Sequence, residues 1–353
     1  MIMEKATPLG KLNVVIIGFG YWGPNLARNI MLNSSYDLIA IVDKDEKQRV
    51  KASSLLGVRT YASYEEIDCT SPKLHLVVIC TRPNTHKILA TYFIKKQINV
   101  LITKPCGISS TEALEIANLA EEEGVLALCD FTYHFSPLVN FLNSNKTAKE
   151  VVKGMLEYTS YRTALGIVQA DVDVLADLAV HDLYIIFMLK SKLPTKVNCI
   201  STNNANYGQL RAAFITLTWD DGFTASIHVS WNSPKKVRLI SITSKDHAVL
   251  LEEMNREAPV QLVRFMPENE TYAKLTAEEK FERNISYTMG NLEVPRLEMY
   301  EALAAEIEAV AQALIQKTSV PLIPNVRDAV NVWKIVEALR KSQISGGLTQ
   351  IVN

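Results

Sequence analysis

Residues 16–25 read IIGFGYWGPN, a glycine-rich turn that directly follows the apolar run Val14–Ile17. The spacing G-x-G-x-x-G is formed by Gly18, Gly20 and Gly23. Glycines in this pattern allow a tight turn and let backbone amides approach a pyrophosphate group. Pro24 suits the first turn of a helix, because the N–H group that proline lacks would have no partner there. The stretch therefore predicts a buried strand, a phosphate-binding turn and a helix.

An acidic residue at the end of the next predicted strand supports this interpretation. The apolar run Leu38–Val42 ends in Asp43, 23 residues after Gly20. In dinucleotide-binding folds a carboxylate about 20 residues beyond the glycines binds the ribose diol. The alternative is that Asp43 caps the helix predicted to begin near Asp45. The carboxylate would repel a 2′-phosphate and so favours NAD, while the nearby basic residue Lys44 keeps NADP open as the less favoured cofactor.

The composition is typical of a globular protein that does not bind nucleic acid. Its 353 residues, 48% of them hydrophobic, are enough for the cores of two domains. A net charge of −1 argues against nucleic-acid binding and against a polybasic membrane protein. The five widely separated cysteines contain no C-x-x-C pair, so we expect neither a zinc site nor a disulfide framework. Since no signal peptide or membrane span is predicted, we expect a cytoplasmic protein.

Alternating apolar runs and helical patterns predict a doubly wound βαβ domain of the α/β class. Its later elements are strands at Leu76–Cys80, Asn99–Ile102 and Val125–Leu128 and helices at Thr85–Lys96 and Thr111–Glu123. Ser109 and Glu112 predict a capping box for the last helix, and Gly124 predicts its end. We therefore expect a dinucleotide-binding Rossmann domain, a parallel sheet, over residues 1–130.

A different pattern predicts an α+β domain over residues 131–353. Alternating strands are predicted at Lys196–Thr202, Ala212–Trp219, Thr224–Ser230, Val237–Thr243 and Ala248–Glu252. They predict an open, largely antiparallel sheet, and its uncovered face predicts a homodimer or homotetramer built through that sheet. Two long helices, Arg296–Gln316 and Val326–Lys341, are predicted near the end of the chain, and Met266–Asn291 is predicted to be a loop insertion.

Polar segments follow three of the predicted parallel strands, where doubly wound folds bind their ligands. They are the glycine turn, Thr81–His86 and Thr103–Pro105. We expect these segments to converge on one crevice. Desolvation beside a positively charged nicotinamide would lower the pKa of Lys104 and prepare it for proton chemistry. The alternative is a solvated lysine at the end of a strand.

A second group of candidates lies on an apolar helix predicted over Asp173–Asp182. Asp177 and His181 are four residues apart, which puts both side chains on one face of a helix. Hydride transfer from an alcohol needs a base for the hydroxyl proton, and a histidine tuned by a carboxylate can supply it. The alternative is a core histidine whose ring is satisfied by hydrogen bonds.

Together these residues resemble the glucose-fructose oxidoreductase, inositol dehydrogenase and MocA (Gfo/Idh/MocA) family of NAD(P)-dependent sugar oxidoreductases. The resemblance covers nearly the whole chain and is carried by the glycine turn, Arg82–His86, Lys104–Pro105 and Asp177–Asp182. Three stretches are most similar to nucleotide-sugar 3-dehydrogenases: GFGYWGPNLARN at residues 18–29, Arg162–Asp182 and Trp231–Arg238. Those enzymes act on UDP-N-acetylglucosamine or its uronic acid and make a 3-keto sugar for amination.

The resemblance implies a role for each matching residue. Lys104 would contact the reacting hydroxyl and the nicotinamide ribose, His181 would accept the proton, and Asp177 is the acidic position on the same helix. The expected cofactor-binding residues are Gly18, Phe19, Gly20, Tyr21, Trp22, Gly23, Asp43, Lys44, Thr81, Arg82, Pro83, Asn84, His86, Lys104 and Arg162. The strand Trp231–Arg238 is a further candidate for cofactor or diphosphate contact, and no metal is expected.

The chain departs from the family pattern at three positions. Thr103 stands where glutamate usually precedes Lys-Pro, which removes a negative charge beside Lys104 and favours a lower lysine pKa. Ala176 and Val180 stand where nucleotide-sugar members more often carry tryptophan and proline, which widens the expected pocket. The predicted reaction is oxidation of a secondary hydroxyl, C3 of a UDP-amino sugar. The alternatives are keto-sugar reduction in deoxysugar synthesis, dehydrogenation of inositol or a free sugar, and non-catalytic sensing of NAD or a sugar.

Overall fold

The computed structural model describes residues 10–165, 172–201, 210–264, 276–279, 291–316 and 323–352. The chain folds into two compact units. The first comprises Met1–Ser136 and Tyr300–Glu337, and the second comprises Pro137–Met299 and Ala338–Asn353. The chain thus returns to the first unit after residue 299, whereas the predicted division placed all of residues 131–353 in one second domain.

The first unit is built on a six-stranded parallel sheet with the order β3-β2-β1-β4-β5-β6. Its strands are β1 Leu12–Ile17, β2 Tyr36–Val42, β3 Arg59–Tyr61, β4 Leu76–Ile79, β5 Asn99–Thr103 and β6 Ala127–Asp130. The strand order reverses between β1 and β4, and ligands of doubly wound folds bind beyond the carboxyl ends of the strands at such a point. The predicted doubly wound Rossmann sheet is confirmed.

The helices follow the sequence signals closely at some ends and not at others. They are α1 Gly23–Leu32, α2 Glu46–Leu56, α3 His86–Ile94, α4 Ser110–Glu123, α5 Pro137–Ser144, α6 Lys146–Lys153, α7 Val180–Lys190, α8 Ala302–Gln316 and α9 Val326–Ile344. Ser109 caps α4 as predicted, but Glu112 accepts the N–H of Ile108 rather than that of Ser109. The helix predicted from Arg296 begins only at Ala302. No helix in the described ranges is long and apolar enough to cross a membrane.

Helix α8 belongs to the first unit because its apolar stripe completes that unit's core. The stripe consists of Leu303, Ile307, Val310 and Ala311. It packs in one buried cluster with Leu26 and Ile30 of α1 and with the apolar residues of β1. The hydroxyl of Tyr36 on β2 donates to the carbonyl of Ile307 at 2.9 Å. The 3–4-residue spacing of the stripe predicts a helix, but it contains no information about which sheet the helix covers.

The second unit contains a nine-stranded sheet with the order β14-β13-β12-β11-β7-β10-β9-β8-β15. Its strands are β7 Glu157–Leu165, β8 Lys196–Ser201, β9 Ala212–Thr218, β10 Thr224–Ser230, β11 Asn232–Thr243, β12 His247–Glu252, β13 Val260–Arg264, β14 Leu292–Glu293 and β15 Gln350–Ile351. Strands β7 and β10 pair in parallel, and the other described neighbours are antiparallel. The predicted largely antiparallel sheet is confirmed. Most of the predicted loop Met266–Asn291 lies outside the described residues.

Candidate active site

The glycine turn brings the chain against the end of β4. Gly18 has a φ of +96°, and a Cβ atom there would lie 2.3 Å from the carbonyl oxygen of Cys80. A Cβ atom on Gly23 would lie 2.6 Å from the carbonyl oxygen of Gly18, so both positions need glycine. A Cβ atom on Gly20 would meet nothing within 4 Å, so this side of the turn is open. The turn therefore fits a pyrophosphate group, which the N-terminal amides of α1 would also attract.

The carboxylate of Asp43 is held against this turn. Its Oδ2 accepts the N–H of Phe19 at 2.7 Å, and its Oδ1 accepts the N–H of Asp45 at 2.9 Å. The cap of α2 is Asp45, whose side chain accepts the N–H of Lys47 at 2.9 Å. The capping alternative for Asp43 is therefore wrong. A half-exposed carboxylate beside the glycine turn is placed as a ribose-binding acid requires.

The predicted cofactor-binding residues of the first unit fall into two groups by exposure. The exposed and half-exposed positions are Gly20, Tyr21, Trp22, Asp43, Lys44, Thr81, Arg82, Asn84 and Lys104. The buried positions are Gly18, Phe19, Gly23, Pro83 and His86. The accessible group stays the predicted contact set. The side chains of Phe19, Pro83 and His86 are buried, whereas Gly18 and Gly23 have no side chain and would act through the backbone; contact of these five residues with the cofactor stays a prediction.

His86 shows what such a buried residue does. Its Nε2 lies 3.0 Å from the carbonyl oxygen of Thr81, and its Nδ1 lies 3.1 Å from that of Pro105. Burial lowers the pKa of His86 to about 4, so the imidazole is neutral near pH 7 and donates from one nitrogen only. Each ring nitrogen faces a backbone carbonyl, and the N–H of Gly107 approaches Nδ1 at 3.5 Å. His86 therefore joins the Thr81 loop to the loop that carries Lys104.

Lys104 follows β5 directly and is half-buried, and its peptide bond to Pro105 is cis. The preceding Thr103 is buried, and its hydroxyl donates to the carbonyl of Ile79, the last residue of β4, at 3.1 Å. Thr103 thus fastens the ends of two strands at the position where the family pattern has glutamate. A Cβ atom on Gly18 would also lie 3.1 Å from the Thr81 side chain. The three polar segments therefore lie close together at the carboxyl ends of the strands, and the crevice that they are expected to line stays a prediction.

In the second unit, the segment that carries Asp177 and His181 is not a regular α-helix. Leu175–Ala179 forms a π-helical turn, in which the N–H of Val180 donates to the carbonyl of Leu175, and α7 follows. The regular helix predicted over Asp173–Asp182 is wrong here because a π turn holds more residues than an α turn. Such turns occur often at functional sites. Sequence spacing gives no signal for the extra residue.

Asp177 lies within the π turn, and His181 lies in the first turn of α7. Oδ2 of Asp177 accepts the indole N–H of Trp231 at 2.9 Å, and His181 at the start of α7 is buried, with 8% of its surface exposed. The contact between Asp177 and Trp231 was not predicted, although both residues were candidates. It fixes the Asp177 carboxylate to the beginning of β11.

Asp182 and Arg162 form a buried ion pair beside His181. Arg162 Nε donates to Asp182 Oδ2 at 2.8 Å, a second guanidinium nitrogen donates to Oδ1 at 3.3 Å, and the Tyr158 hydroxyl donates to Oδ1 at 3.3 Å. Burial, reinforced by the charge of Asp182, raises the pKa of Tyr158 well above its usual value. Arg162 was predicted to contact the cofactor, and that contact stays a prediction. In the structure its guanidinium group anchors the first turn of α7 to β7.

No group of three or more His, Cys, Asp or Glu residues within the described ranges is arranged to hold a metal ion.

The parallel sheet, the glycine turn and Asp43 match a known family. Residues 12–131 fit the model of the oxidoreductase family with an NAD-binding Rossmann fold, GFO_IDH_MocA. Residues 12–131 are an NAD-binding domain of the Gfo/Idh/MocA oxidoreductase family. NAD is thus the cofactor of this domain.

Relatives that match in sequence include two oxidoreductases. An uncharacterized oxidoreductase from Streptococcus pneumoniae serotype 4 is 26% identical over 137 residues, which are 39% of this chain and 35% of that protein. The match thus spans about a third of the length of this relative. The UDP-N-acetylglucosamine 3-dehydrogenase of Acidithiobacillus ferrooxidans is 21% identical over 241 residues, which are 68% of this chain and 74% of that protein.

Solved structures extend the likeness to both units. The structure of the same Acidithiobacillus ferrooxidans enzyme, GnnA, has a TM-score of 0.79 at 18% identity and covers 96% of this chain and 99% of its own. GenD2 from gentamicin A biosynthesis, solved with NAD, has a TM-score of 0.79 at 18% identity and covers 100% of this chain and 99% of its own. At such identities the likeness establishes the fold alone.

Proposed function

We propose that this protein oxidises a secondary hydroxyl group of a sugar, the C3 hydroxyl of a UDP-linked amino sugar. One observation carries the proposal. The chain combines an NAD-binding domain, with Lys104 at the end of one of its strands, with the carboxylate of Asp177 and the imidazole of His181. The similarity to the UDP-N-acetylglucosamine 3-dehydrogenase over 68% of the chain supports the nucleotide sugar as substrate.

In the proposed reaction the protein orients the hydroxyl and takes its proton. NAD, when bound, accepts the hydride from the sugar carbon. The ammonium group of Lys104 donates a hydrogen bond to the reacting hydroxyl oxygen and holds it in place. The imidazole of His181 takes the hydroxyl proton, and the negative charge of Asp177 favours the protonated imidazole. The same groups serve the reverse reduction of a keto sugar, with His181 returning the proton.

We propose that basic residues of β11 bind the diphosphate of the nucleotide. The pairing of β11 with β7 shifts register between Asn232 and Val237, and Lys235 and Lys236 lie exposed on this irregular segment. The Thr163 hydroxyl donates to the carbonyl of Lys235 at 3.0 Å and so helps to fix the backbone. Two ammonium groups on a fixed backbone suit two phosphate charges. The segment begins just after Trp231, the partner of Asp177.

We also propose that a second copy of the chain covers the open face of the nine-stranded sheet. An in-register row crosses five strands on that face: Leu239, Tyr161, His228, Phe214 and Ile200. The rings of Phe214 and His228 stack at 4.4 Å, yet Phe214 is 52% exposed and Ile200 is 62% exposed. A contiguous apolar row of this kind marks an interaction surface, which supports a homodimer or homotetramer. The five free cysteines support the cytoplasm as its compartment.

The test of the function is NADH formation with a panel of substrates and matched variants. The panel contains UDP-N-acetylglucosamine, its uronic acid, N-acetylglucosamine, glucose and inositol, each with a carbonyl-trapping reagent to draw the equilibrium forward. We expect NADH with the UDP sugars alone and detectable binding of UDP by calorimetry. NADH with inositol or a free sugar, together with no binding of UDP, would contradict the nucleotide-sugar substrate.

Variants separate the chemistry from folding and from cofactor binding. Lys104→Gln and His181→Asn should each lower kcat by about 10²–10⁴-fold, the usual contribution of a positioned proton-transfer group. Both should bind NADH with nearly wild-type affinity. Lys87→Gln is the matched control, because Lys87 pairs with Glu115 on the surface of the same unit. Full activity in Lys104→Gln and His181→Asn would contradict the proposed roles.

A further inference from the structure

A buried carboxylate lies directly behind the glycine turn. Asp130, the last residue of β6, is 2% exposed. Its Oδ2 accepts the indole N–H of Trp22 at 2.8 Å, and its Oδ1 accepts the hydroxyl of Thr132. Trp22 lies inside the glycine turn and is the N-cap residue of α1. The carboxylate therefore holds the residue at which the turn becomes the helix.

A second carboxyl group reaches this cluster from α8. Glu306 is 1% exposed and its Oε2 is buried without a hydrogen-bond partner, while its carboxyl group interacts electrostatically with that of Asp130. Burial, followed by the charge of Asp130, raises the pKa of Glu306 well above its usual value. All four residues belong to the first unit. Neither Asp130 nor Glu306 was a candidate in the sequence.

Two interacting carboxyl groups in a buried site do not both ionise readily near neutral pH, because each charge opposes the other. Asp130 accepts hydrogen bonds from Trp22 and Thr132, and such donors favour its ionised form. The proton therefore lies on Glu306, which donates it to Asp130. The titratable groups that interact electrostatically with this pair are Cys80, Cys129 and Tyr36. Burial raises the pKa of each of these, so they stay neutral.

We propose that Asp130 and Glu306 share this single proton and act together as positioning residues for the dinucleotide-binding turn. Glu306 orients the Asp130 carboxylate, and that carboxylate holds the Trp22 indole. The N–H groups of Asn25 and Leu26 donate to the carbonyl of Trp22 in the first turn of α1. Fixing Trp22 thus fixes the helix start that faces a bound pyrophosphate. The inference depends on NAD binding and is independent of the identity of the sugar.

The experiment compares the affinity for NADH, measured by fluorescence titration of the full chain, across four proteins. Glu306→Gln keeps the size and supplies a neutral N–H donor to Asp130, whereas Glu306→Ala leaves the Asp130 charge without this donor. Glu308→Gln is the control, because Glu308 is exposed on the same helix and accepts from Asn33 at 2.7 Å. We expect wild-type affinity for Glu308→Gln and near-wild-type affinity for Glu306→Gln. For Glu306→Ala we expect affinity weaker by about tenfold, the cost of one lost hydrogen bond to a buried charge.

Two further readouts separate positioning from general stability. The infrared carbonyl band of a buried protonated carboxyl group should be present at neutral pH in the wild type and in Glu308→Gln, and absent from Glu306→Gln. Trp22→Phe removes the indole N–H, so it should weaken NADH binding. The Trp22→Phe/Glu306→Ala double variant should bind NADH no more weakly than whichever single variant has the lower affinity. Unchanged NADH affinity in Glu306→Ala would overturn the proposal. So would equal losses in Glu306→Gln and Glu306→Ala, or an infrared band that survives Glu306→Gln. If Glu306→Ala does not fold, the proposal is still tested by the infrared band of Glu306→Gln and by the NADH affinity of Trp22→Phe.

Discussion

The ion pair between Arg162 and Asp182 is expected to be one of the costliest single interactions to break in this chain. The two side chains are 5% and 0% exposed, and Arg162 Nε lies 2.8 Å from Asp182 Oδ2. Asp182→Asn keeps the shape of the side chain but removes its charge, and Arg162→Met removes the guanidinium. Each single change leaves one partner buried in the low-dielectric interior without its counter-charge.

The magnitude follows from burial. Removing one partner of a buried pair costs about 3–5 kcal/mol of unfolding free energy. The double variant Arg162→Met/Asp182→Asn removes both charges and should lose less, about 1–3 kcal/mol, because the Tyr158 hydroxyl loses only the charge of its acceptor. The surface pair between Arg327 and Glu121, 41% and 67% exposed, is the control. Arg327→Met should cost about 0–1 kcal/mol.

Urea unfolding at neutral pH, followed by circular dichroism, measures these free energies, and the double-mutant cycle gives the coupling between the two residues. We expect both single variants to be less stable than the double variant. Additive single losses, or losses no larger than that of Arg327→Met, would refute the assignment of a tightly coupled buried pair.

Three further predictions concern proton binding, cofactor choice and assembly. Burial lowers the pKa of His86 to about 4 from 6.5, so the unfolded chain binds a proton that the folded chain does not. Stability should therefore fall by about 3 kcal/mol as the pH falls from 6.5 to 4, and urea unfolding of His86→Asn should lack this contribution. Asp43→Ala should weaken NADH binding by about 10–100-fold and NADPH binding by less, in fluorescence titrations, because the lost carboxylate repels a 2′-phosphate; equal losses would contradict the assignment. Phe214→Lys should convert the proposed oligomer to monomer in sedimentation velocity, whereas Leu55→Lys, at an exposed position of α2, should not; an unchanged mass for Phe214→Lys would contradict the proposed interface.

The local signals of the sequence were sufficient where a single stretch determines the structure. The glycine spacing and Pro24 specified the turn and the start of α1, and Asp43 was placed beside the turn by its position after β2. Strand β7 was missed because its inward-facing residues include Ser160 and Arg162, which do not form an apolar alternation. Arg162 faces the interior, where Asp182 neutralises its charge.

Contacts between distant parts of the chain left no signal of this kind. Asp130 and Glu306 belong to separate segments of the first unit, and the place of Glu306 on the apolar face of α8, between Leu303 and Val310, does not show which residue it meets. Only the fold shows that the stripe containing Glu306 covers the core beside β6. The π turn before α7 was equally invisible, because no residue type specifies one extra residue per turn.

The most direct test of the central claim uses UDP-N-acetylglucosamine deuterated at C3, incubated with the protein, NAD and a carbonyl-trapping reagent. Mass spectrometry of the NADH formed shows whether the transferred hydride came from that carbon. We predict deuterated NADH with the wild type and with Lys87→Gln, and none with His181→Asn. Unlabelled NADH would show oxidation at another position, and the absence of NADH from a protein that binds NAD and UDP would contradict the proposed dehydrogenase activity.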